Sequence, residues 1–312
     1  MLPAHRFTRS GATIAGEPLS GLVDARKVFA LFGEGATVVL QGLHRSWPPL
    51  TRLVADLELT LGHPCQANAY LTPPGSQGFA VHSDSHDVFV FQTHGTKLWE
   101  VHGDEGAEEI LMERGLSMYL PTGTPHAARA QDGASLHVTI GINQLTWHGT
   151  VRRALECALA RMPDSHLPAG YLDDPALLSE GLAARLEEIA DGIRLLDAAD
   201  ESVREIRRFL TSRPTRQPGG LLDVLAVRDL GPTSVVQRRH GHPCVLLPAK
   251  DSDRLTVLLG DRSLEVPGWL GPALEALRGP GEVRPVDLPI DDESAVVLCR
   301  RLVREGLLEV VG

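Results

Sequence analysis

The chain has 312 residues, 43% of them hydrophobic, which allows more than one core and argues against global disorder. Its formal charge of −10 argues against a general nucleic-acid binder but leaves an acidic surface that can attract a basic protein. No apolar run of about 18 residues is present to span a membrane, and the opening MLPAHRFTRSG lacks the apolar core of a signal peptide.

Residues 1–60 read as a lead-in. RFTRSGATIAGEPL is polar with strand-like patches, LVDARKVFALFGEG is a short helix ended by Gly33 and Gly35, ATVVLQGL is β-rich, and SWPPLTRLVADLELTLGH takes a helical rhythm after Pro48 and Pro49. From 65 to 148 the texture changes. CQANAYLT, FAVHSD, DVFVFQ, KLWEVH, SMYLP and SLHVTIGI are short, rich in β-branched or aromatic residues, and separated by Gly, Pro, Thr and Asp, as in a small barrel or jelly roll.

From 149 the chain turns helical, with TVRRALECALARM, DPALLSEGLAARLEEIADGIRLLDAAD and ESVREIRRFLTSR in succession. Leu182, Leu186, Ile189, Ile193 and Leu196 recur at spacings of four and three, a seam suited to a helix pair or to an intradomain face. SRPTRQPGG reads as a linker. Residues 221–312 then alternate strand-like runs (SVVQRR, CVLLPA, RLTVLLG, RSLEVP) with helices (WLGPALEALRG, ESAVVLCRRLVREG), as in a small winged-helix-like module. From residue 220 onward there are 11 Lys/Arg against 14 Asp/Glu, whereas a DNA-reading winged helix is normally basic. Cys65, Cys157, Cys244 and Cys299 are scattered and form no C-x-x-C pair, which fits a reducing cytoplasm.

The chemistry concentrates in FAVHSDSHDVFVFQTHGTKLWEVHGD, residues 79–104, which holds two H-x-D triplets. Such a triplet is common enough by chance to prove nothing alone. On a strand, residues i and i+2 share a side, so His82 and Asp84 can offer an imidazole and a carboxylate to one cation. The best third ligand is His126, in the turn-rich LPTGTPHAARA. Two histidines and one carboxylate would form a facial triad suited to Fe(II) with open positions. DVFVFQ, THGT and KLWEVH read as a hairpin that places Lys97 beside the sheet interior, opposite the strand after Asp84. There its ammonium could meet the distal carboxylate of 2-oxoglutarate, or it could be a surface lysine. Asn68 and Tyr70, two apart on one strand, could add hydrogen bonds, although Tyr70 also fits an ordinary half-buried strand position. His102-Gly103-Asp104 runs into the acidic GDEGAEE and reads as a turn. His44 and His63 lie at element ends, His86 and His94 flank the hairpin, and His137 is either a core residue or a support behind the ligands. No G-x-S-x-G, Walker A, G-x-G-x-x-G or H-E-x-x-H is present.

NAYLTPPGSQGFAVHSDSHDVFVFQTHGTKLWEVHG resembles the core of the Jumonji C ribosomal oxygenases, a branch of the cupin-type 2-oxoglutarate-dependent protein hydroxylases. The resemblance rests on five ordered blocks: N-x-Y-x-T-P-x-G-S-Q-G, H-x-D, D-V-F-V-x-Q-x-x-G-x-K-x-W, P-x-G-T-x-H and H-V-T-I. It implies an α+β chain with a double-stranded β-helix (jelly-roll, cupin) catalytic domain at 1–148. A helical dimerisation region at 149–215 and a winged-helix-like domain at 216–312 would follow. It implies that His82, Asp84 and His126 hold Fe(II), that Lys97 holds the far carboxylate of 2-oxoglutarate, and that Asn68 and Tyr70 help hold that cosubstrate, with O2 as the second. Gly141 stands where some relatives carry a serine near the cosubstrate, and Ser83 replaces a bulkier residue often found inside the triplet.

The expectation is therefore a cytoplasmic, homodimeric protein hydroxylase acting on histidine or arginine of a ribosomal protein, with no membrane or direct nucleic-acid contact. Two rivals stay open: the same fold acting as a lysine demethylase or as a peptide or small-molecule hydroxylase, and a non-enzymatic regulator.

Overall fold

The computed structural model describes residues 6, 13–14, 17–18, 23–213, 217–248 and 253–311. Most of the strand-like lead-in and residues 214–216 of the expected linker lie outside the described residues. Contacts divide the chain into two units, Met1–Gln144 and Leu145–Gly312.

The first unit opens with a short antiparallel pair, β1 (Thr13–Ile14) and β2 (Glu17–Pro18). Helix α1 (Ala25–Gly33) starts where the Asp24 carboxylate accepts from the Arg26 amide at 3.0 Å. Strand β3 (Val38–Leu40) follows, then α2 (Pro48–Leu61). The prolines of α2 occupy first-turn positions, where an N–H would have no helical partner, and Gly62 closes the helix at φ 69°. The remaining strands are β4 (Cys65–Thr72), β5 (Asp87–His94), β6 (Lys97–Gly103), β7 (Gly106–Met112), β8 (Ser117–Leu120), β9 (His126–Ala130) and β10 (Ser135–Ile142).

These strands form a five-stranded antiparallel sheet, β3-β4-β10-β5-β8, and a three-stranded one, β7-β6-β9. Val88, Val90 and Leu120 of the first pack with Trp99 and Met112 of the second, which puts a core between the sheets. On the outer face, Leu50 and Val54 of α2 pack on Cys65, Ala67, Ile140 and Ile142. The buried Glu58 carboxylate of α2 accepts from the Cys65 amide, and the buried His44 ring accepts from the Ala67 amide, both at 3.0 Å. The two-residue period of β10 thus sorts its side chains. Val138, Ile140 and Ile142 face the helix, and His137, Thr139 and Gly141 face the interior.

Three expectations about pairing are corrected. DVFVFQ and KLWEVH form no hairpin: β5 pairs with β10 and β8, while β6 pairs with β7 and β9, so the intervening turn carries the chain from one sheet to the other. Gly95 makes that crossing at φ 62°, where an added Cβ would lie 2.1 Å from the Ala134 carbonyl oxygen. FAVHSD is not a strand; only His82 is bridged, to His126. GAEE, the second half of the GDEGAEE run expected as a loop, opens β7, an edge strand whose largely exposed, charged face hides the alternation of a half-buried strand. His102 and Gly103 end β6, and Asp104 lies in the turn to β7.

The second unit begins with α3 (Trp147–Leu159), α4 (Pro175–Arg194) and α5 (Ala198–Thr211). Asp174 and Asp197 cap α4 and α5 by accepting from Ala176 and Ala199 amides. Leu196 of the expected seam falls beyond the end of α4. Then come α6 (Gly220–Ala226), β11 (Val235–Arg238), β12 (Val245–Pro248), β13 (Arg254–Leu258), β14 (Ser263–Pro267), α7 (Gly271–Leu277), β15 (Glu282–Val283), α8 (Asp292–Arg304) and β16 (Leu308–Val311). Their core includes Val236, Leu274, Leu277, Leu298, Leu302 and Leu308. Arg239, 2% exposed, is buried with two carboxylates, Asp223 and Glu309.

Candidate metal centre

His82 lies in the irregular segment between β4 and β5, and His126 opens β9. Their backbones exchange two hydrogen bonds, His82 N to His126 O at 3.1 Å and His126 N to His82 O at 2.7 Å. Asp84 is fastened to the turn before β9, where Gly123, at φ 84°, donates its N–H to the Asp84 carbonyl at 2.9 Å. The ligand atoms offered by His82, Asp84 and His126 consequently lie within 4.8 Å of one another, with Asp84 Oδ2 3.8 Å from His126 Nε2. The triplet therefore needs no strand: one backbone bridge and one glycine turn do the positioning.

The two imidazoles are oriented alike. His82 Nδ1 is 2.9 Å from the Ala80 carbonyl oxygen, and His126 Nδ1 is 3.0 Å from that of Thr124. A carbonyl can only accept, so each Nδ1 carries a proton, and Nε2 is the nitrogen left to face a cation when the ring is neutral. Burial lowers the pKa of His126, and the neighbouring His82 adds to this, which favours the neutral, ligating form.

Lys97, first residue of β6, is 2% exposed, and its ammonium donates to Thr72 Oγ1 of β4 at 3.0 Å. It thus reaches across the interior to the other sheet, rather than along a hairpin. Burial pushes its pKa down to about 8, and among the described residues no carboxylate pairs with it. Tyr70 lies opposite His137, and Asn68 opposite Thr139, across the β4–β10 ladder, on the same inward face as Thr72. Asn68 Oδ1 accepts from the Gly42 amide at 2.9 Å. The Tyr70 hydroxyl pKa is raised by burial first, with the Asp84 charge adding to it, while hydrogen bonds with Thr139 and Asn68 oppose the rise.

The structure thus brings His82, Asp84 and His126 into one cluster. It places Lys97, Asn68 and Tyr70 on strands whose inward faces meet over the same interior. Sequence reasoning passed over Thr72, Thr139 and Trp99, and left His137 between two roles. The available signal was the alternation in SLHVTIGI, where His137 and Thr139 interrupt an apolar strand on one face only. The space a side chain at Gly141 would take is filled: an added Cβ would lie 2.6 Å from His86 Nε2. Nearby, the Asp87 carboxylate accepts from Tyr119 Oη at 2.5 Å and from Thr122 N and Oγ1, both at 2.8 Å, pinning the turn that leads to His126. Burial alone would raise the pKa of Asp87, but these hydrogen bonds outweigh it and hold it low.

Residues 49–109 and 102–149 match the JmjC domain family. The chain is 32% identical over 174 residues to Ribosomal oxygenase 1 of Rattus norvegicus, a match covering 46% of this chain and 29% of that protein. It is 33% identical over 170 residues to the Bifunctional lysine-specific demethylase and histidyl-hydroxylase NO66 of Branchiostoma floridae, covering 52% and 28%. The match thus spans under a third of either relative. Among solved structures, the Escherichia coli ribosomal oxygenase YcfD superposes with a TM-score of 0.53 at 18% identity, over 88% of this chain and 78% of that one. A second structure of that protein, in complex with cobalt and 2-oxoglutarate, gives a TM-score of 0.52 at 18% identity with the same coverage. At such identity the likeness to these structures shows the fold alone.

Proposed function

For a chain whose residues 49–109 and 102–149 carry a JmjC domain, we propose the activity of an Fe(II)- and 2-oxoglutarate-dependent oxygenase that hydroxylates a protein side chain. The observation that carries this reading is the His82–Asp84–His126 cluster with both Nδ1 atoms already spent on carbonyls. Two neutral imidazoles and one carboxylate are a donor set that fits Fe(II) and leaves positions free for other ligands. When bound, the metal would supply the activation of O2, with 2-oxoglutarate as cosubstrate.

The chain's own groups prepare the site. Ala80 and Thr124 fix the tautomer of the ligating histidines. Lys97 neutralises the far carboxylate of 2-oxoglutarate, and its burial strengthens that attraction by excluding water. Tyr70 and Asn68, on the same inward face of β4 as the Thr72 that Lys97 bonds, would add hydrogen bonds to the cosubstrate. Asp87 holds the turn before His126 through Thr122.

The substrate reading is a histidine or arginine of a ribosomal protein. The relatives' names, a ribosomal oxygenase and a histidyl-hydroxylase, support a ribosomal target and histidine, and the net charge of −10 suits a basic partner. The same reading assigns 1–148 to catalysis, 149–215 to homodimerisation and 216–312 to a winged-helix-like module. Exposed Leu182 and Leu186 on α4 support the second assignment. A cytoplasmic location suits four cysteines of which none is in a disulfide. No described helix is long and apolar enough to cross a membrane.

The test is incubation of the Fe(II)-loaded protein with 2-oxoglutarate and a ribosomal-protein fraction. Succinate should accumulate, and mass spectrometry should find one added oxygen on a histidine or arginine. Asp84→Ala should abolish succinate formation. Full turnover by that variant with iron still bound would sink the assignment. Formaldehyde release would favour lysine demethylation, an activity in the printed name of the NO66 relative.

A further inference from the structure

One histidine beside the metal ligands is unused by the reading above. His86 follows Asp84 by two residues, so its Cα lies within about 7 Å of that ligand's. Its half-buried ring rests against the inward side of Gly141 on β10, where an added Cβ would lie 2.6 Å from His86 Nε2 and 2.7 Å from its Cδ2. The imidazole thus occupies the volume that any other residue at 141 would claim. Gln66, also half-buried, brings its Cγ within 3.3 Å of the same point. Among the described residues, neither the His86 ring nor the Gln66 amide makes a hydrogen bond. Two polar side chains therefore converge on one notch that solvent still reaches, with their donors and acceptors unspent.

The position of the notch in the sheet says which molecule would meet it. Across the β4–β10 ladder the inward pairs run Thr72–Ser135, Tyr70–His137, Asn68–Thr139 and Gln66–Gly141. Lys97 is bonded to Thr72 at the first pair, and the Asp84 charge acts on the Tyr70 hydroxyl of the second. One two-residue step along a strand is about 7 Å, which already matches the length of a five-carbon diacid. Gln66 lies six residues and about 20 Å along β4 from Thr72, past the end of a cosubstrate anchored at Lys97. That end is left for the molecule to be oxidised. The chemistry of the notch narrows it further. An imidazole and a carboxamide each give and accept hydrogen bonds, whereas a guanidinium has five donors, no acceptor and a preference for carboxylates. The neighbouring carboxylate, Asp87, already accepts from Tyr119 and Thr122.

We propose that His86 and Gln66 are specificity-determining residues that hold the target side chain beside the metal ligands. They select an uncharged planar group that both gives and accepts, an imidazole or a carboxamide, over a guanidinium. The proposal rests on the oxygenase reading and deepens it by naming the substrate contact and separating histidine and asparagine targets from arginine. Gly141 belongs to the same device, because only a residue without a side chain leaves room for the His86 ring.

Gly141→Ala tests His86 without altering it. Gly141 is not at positive φ, and the nearest atoms in the way are the far end of a side chain, so the new methyl displaces the ring and leaves the backbone in place. Full-length, Fe(II)-loaded wild type, His86→Ala, Gly141→Ala and the double variant are incubated with 2-oxoglutarate and a ribosomal-protein fraction, and mass spectrometry locates the added oxygen. The wild type should place it on histidine or asparagine. His86→Ala and Gly141→Ala should each lower incorporation about 5- to 100-fold, the range for stranding a polar partner. The double variant should lose no more than His86→Ala alone, because the methyl acts only through the ring. His86→Gln, which keeps a donor and an acceptor, should recover part of the loss. Calorimetry on the Mn(II)-loaded forms should find the affinities for Mn(II) and for 2-oxoglutarate unchanged. Undiminished incorporation by His86→Ala, additive losses in the double variant, oxygen on arginine alone, or a fall in Mn(II) or 2-oxoglutarate affinity that matches the lost product overturns the proposal and leaves the oxygenase reading standing. A wild-type protein that takes Mn(II) but no 2-oxoglutarate, or that oxidises nothing in the fraction, overturns both.

Discussion

Lys97 is a buried cation held by one neutral hydroxyl, and its pH behaviour follows from that. Its pKa falls from 10.5 in the unfolded chain to about 8 in the fold. Below pH 8 the ammonium persists in both states, and the folded state bears the full cost of desolvating it. Between about 8 and 10.5 the unfolded chain binds a proton that the folded chain has released, so the stability of the ligand-free protein rises with pH across that window. Ligand binding runs the other way, because a carboxylate needs the charged form. The dissociation constant for 2-oxoglutarate should be flat below pH 8 and climb above it, by up to about tenfold per pH unit. Calorimetry on the Mn(II)-loaded protein from pH 7 to 9.5 measures this. Lys97→Met should bind weakly at every pH and lose the dependence; a steep dependence surviving in that variant would assign it to another group. The His82–Asp84–His126 cluster and the buried Lys97 were legible as candidates in the sequence because charged and imidazole side chains at fixed spacings stand out from a β-rich background. His137 was not, because one histidine in an apolar strand looks the same whether it packs or binds. Its packing against Tyr70 and Trp99 depends on strands distant along the chain and left no trace in the sequence.

At the scale of elements, the sequence marked most of the strands, and β4 and β10 fall on the residues expected. It did not show which strands pair. Alternation is a local signal, whereas pairing depends on contacts distant along the chain, so DVFVFQ-THGT-KLWEVH looked like a hairpin and is a crossing between sheets. The feature that decides it is Gly95. A non-glycine residue there would bear about 1–2 kcal/mol for the left-handed conformation, and its Cβ would meet the Ala134 carbonyl oxygen at 2.1 Å. Neither partner of that clash is a flexible side-chain end, so the turn itself must shift. Gly95→Ala should lower the melting temperature by about 5 °C or more, at about 2–4 °C per kcal/mol for a domain of roughly 150 residues. It should also weaken 2-oxoglutarate binding, because Lys97 begins the strand that leaves the turn. Gly115→Ala, also at positive φ but with nothing within 4 Å of an added Cβ, separates the conformational cost from the clash. Equal melting temperatures for the two variants would show that Ala134 does not constrain the crossing.

At the scale of the whole molecule, the helices of the second unit were legible from their period, but what their apolar faces meet was not, because periodicity reports amphipathicity and is silent about the partner. Helix α4 has no buried residue along its 20-residue length. Leu182 and Leu186 are 55% and 57% exposed, Leu177 and Ile193 are exposed as well, and neighbouring α3 exposes Trp147 and Val151. Apolar surface gathered on successive helices is unfavourable in water and is expected at an interface. A second copy of the chain is the occupant proposed for it, since closed two-fold pairing is the commonest way to cover such a face. Leu182→Glu combined with Leu186→Glu should therefore convert a dimer to a monomer in sedimentation velocity. Because both side chains are already exposed in the single chain, the variant should keep its fold, its circular dichroism and its affinity for Mn(II) at the first unit's cluster. A mispacked helix would instead lose helicity along with assembly, and that outcome, or a wild-type protein that sediments as a monomer, would remove the dimer from the proposal while leaving the metal centre untouched.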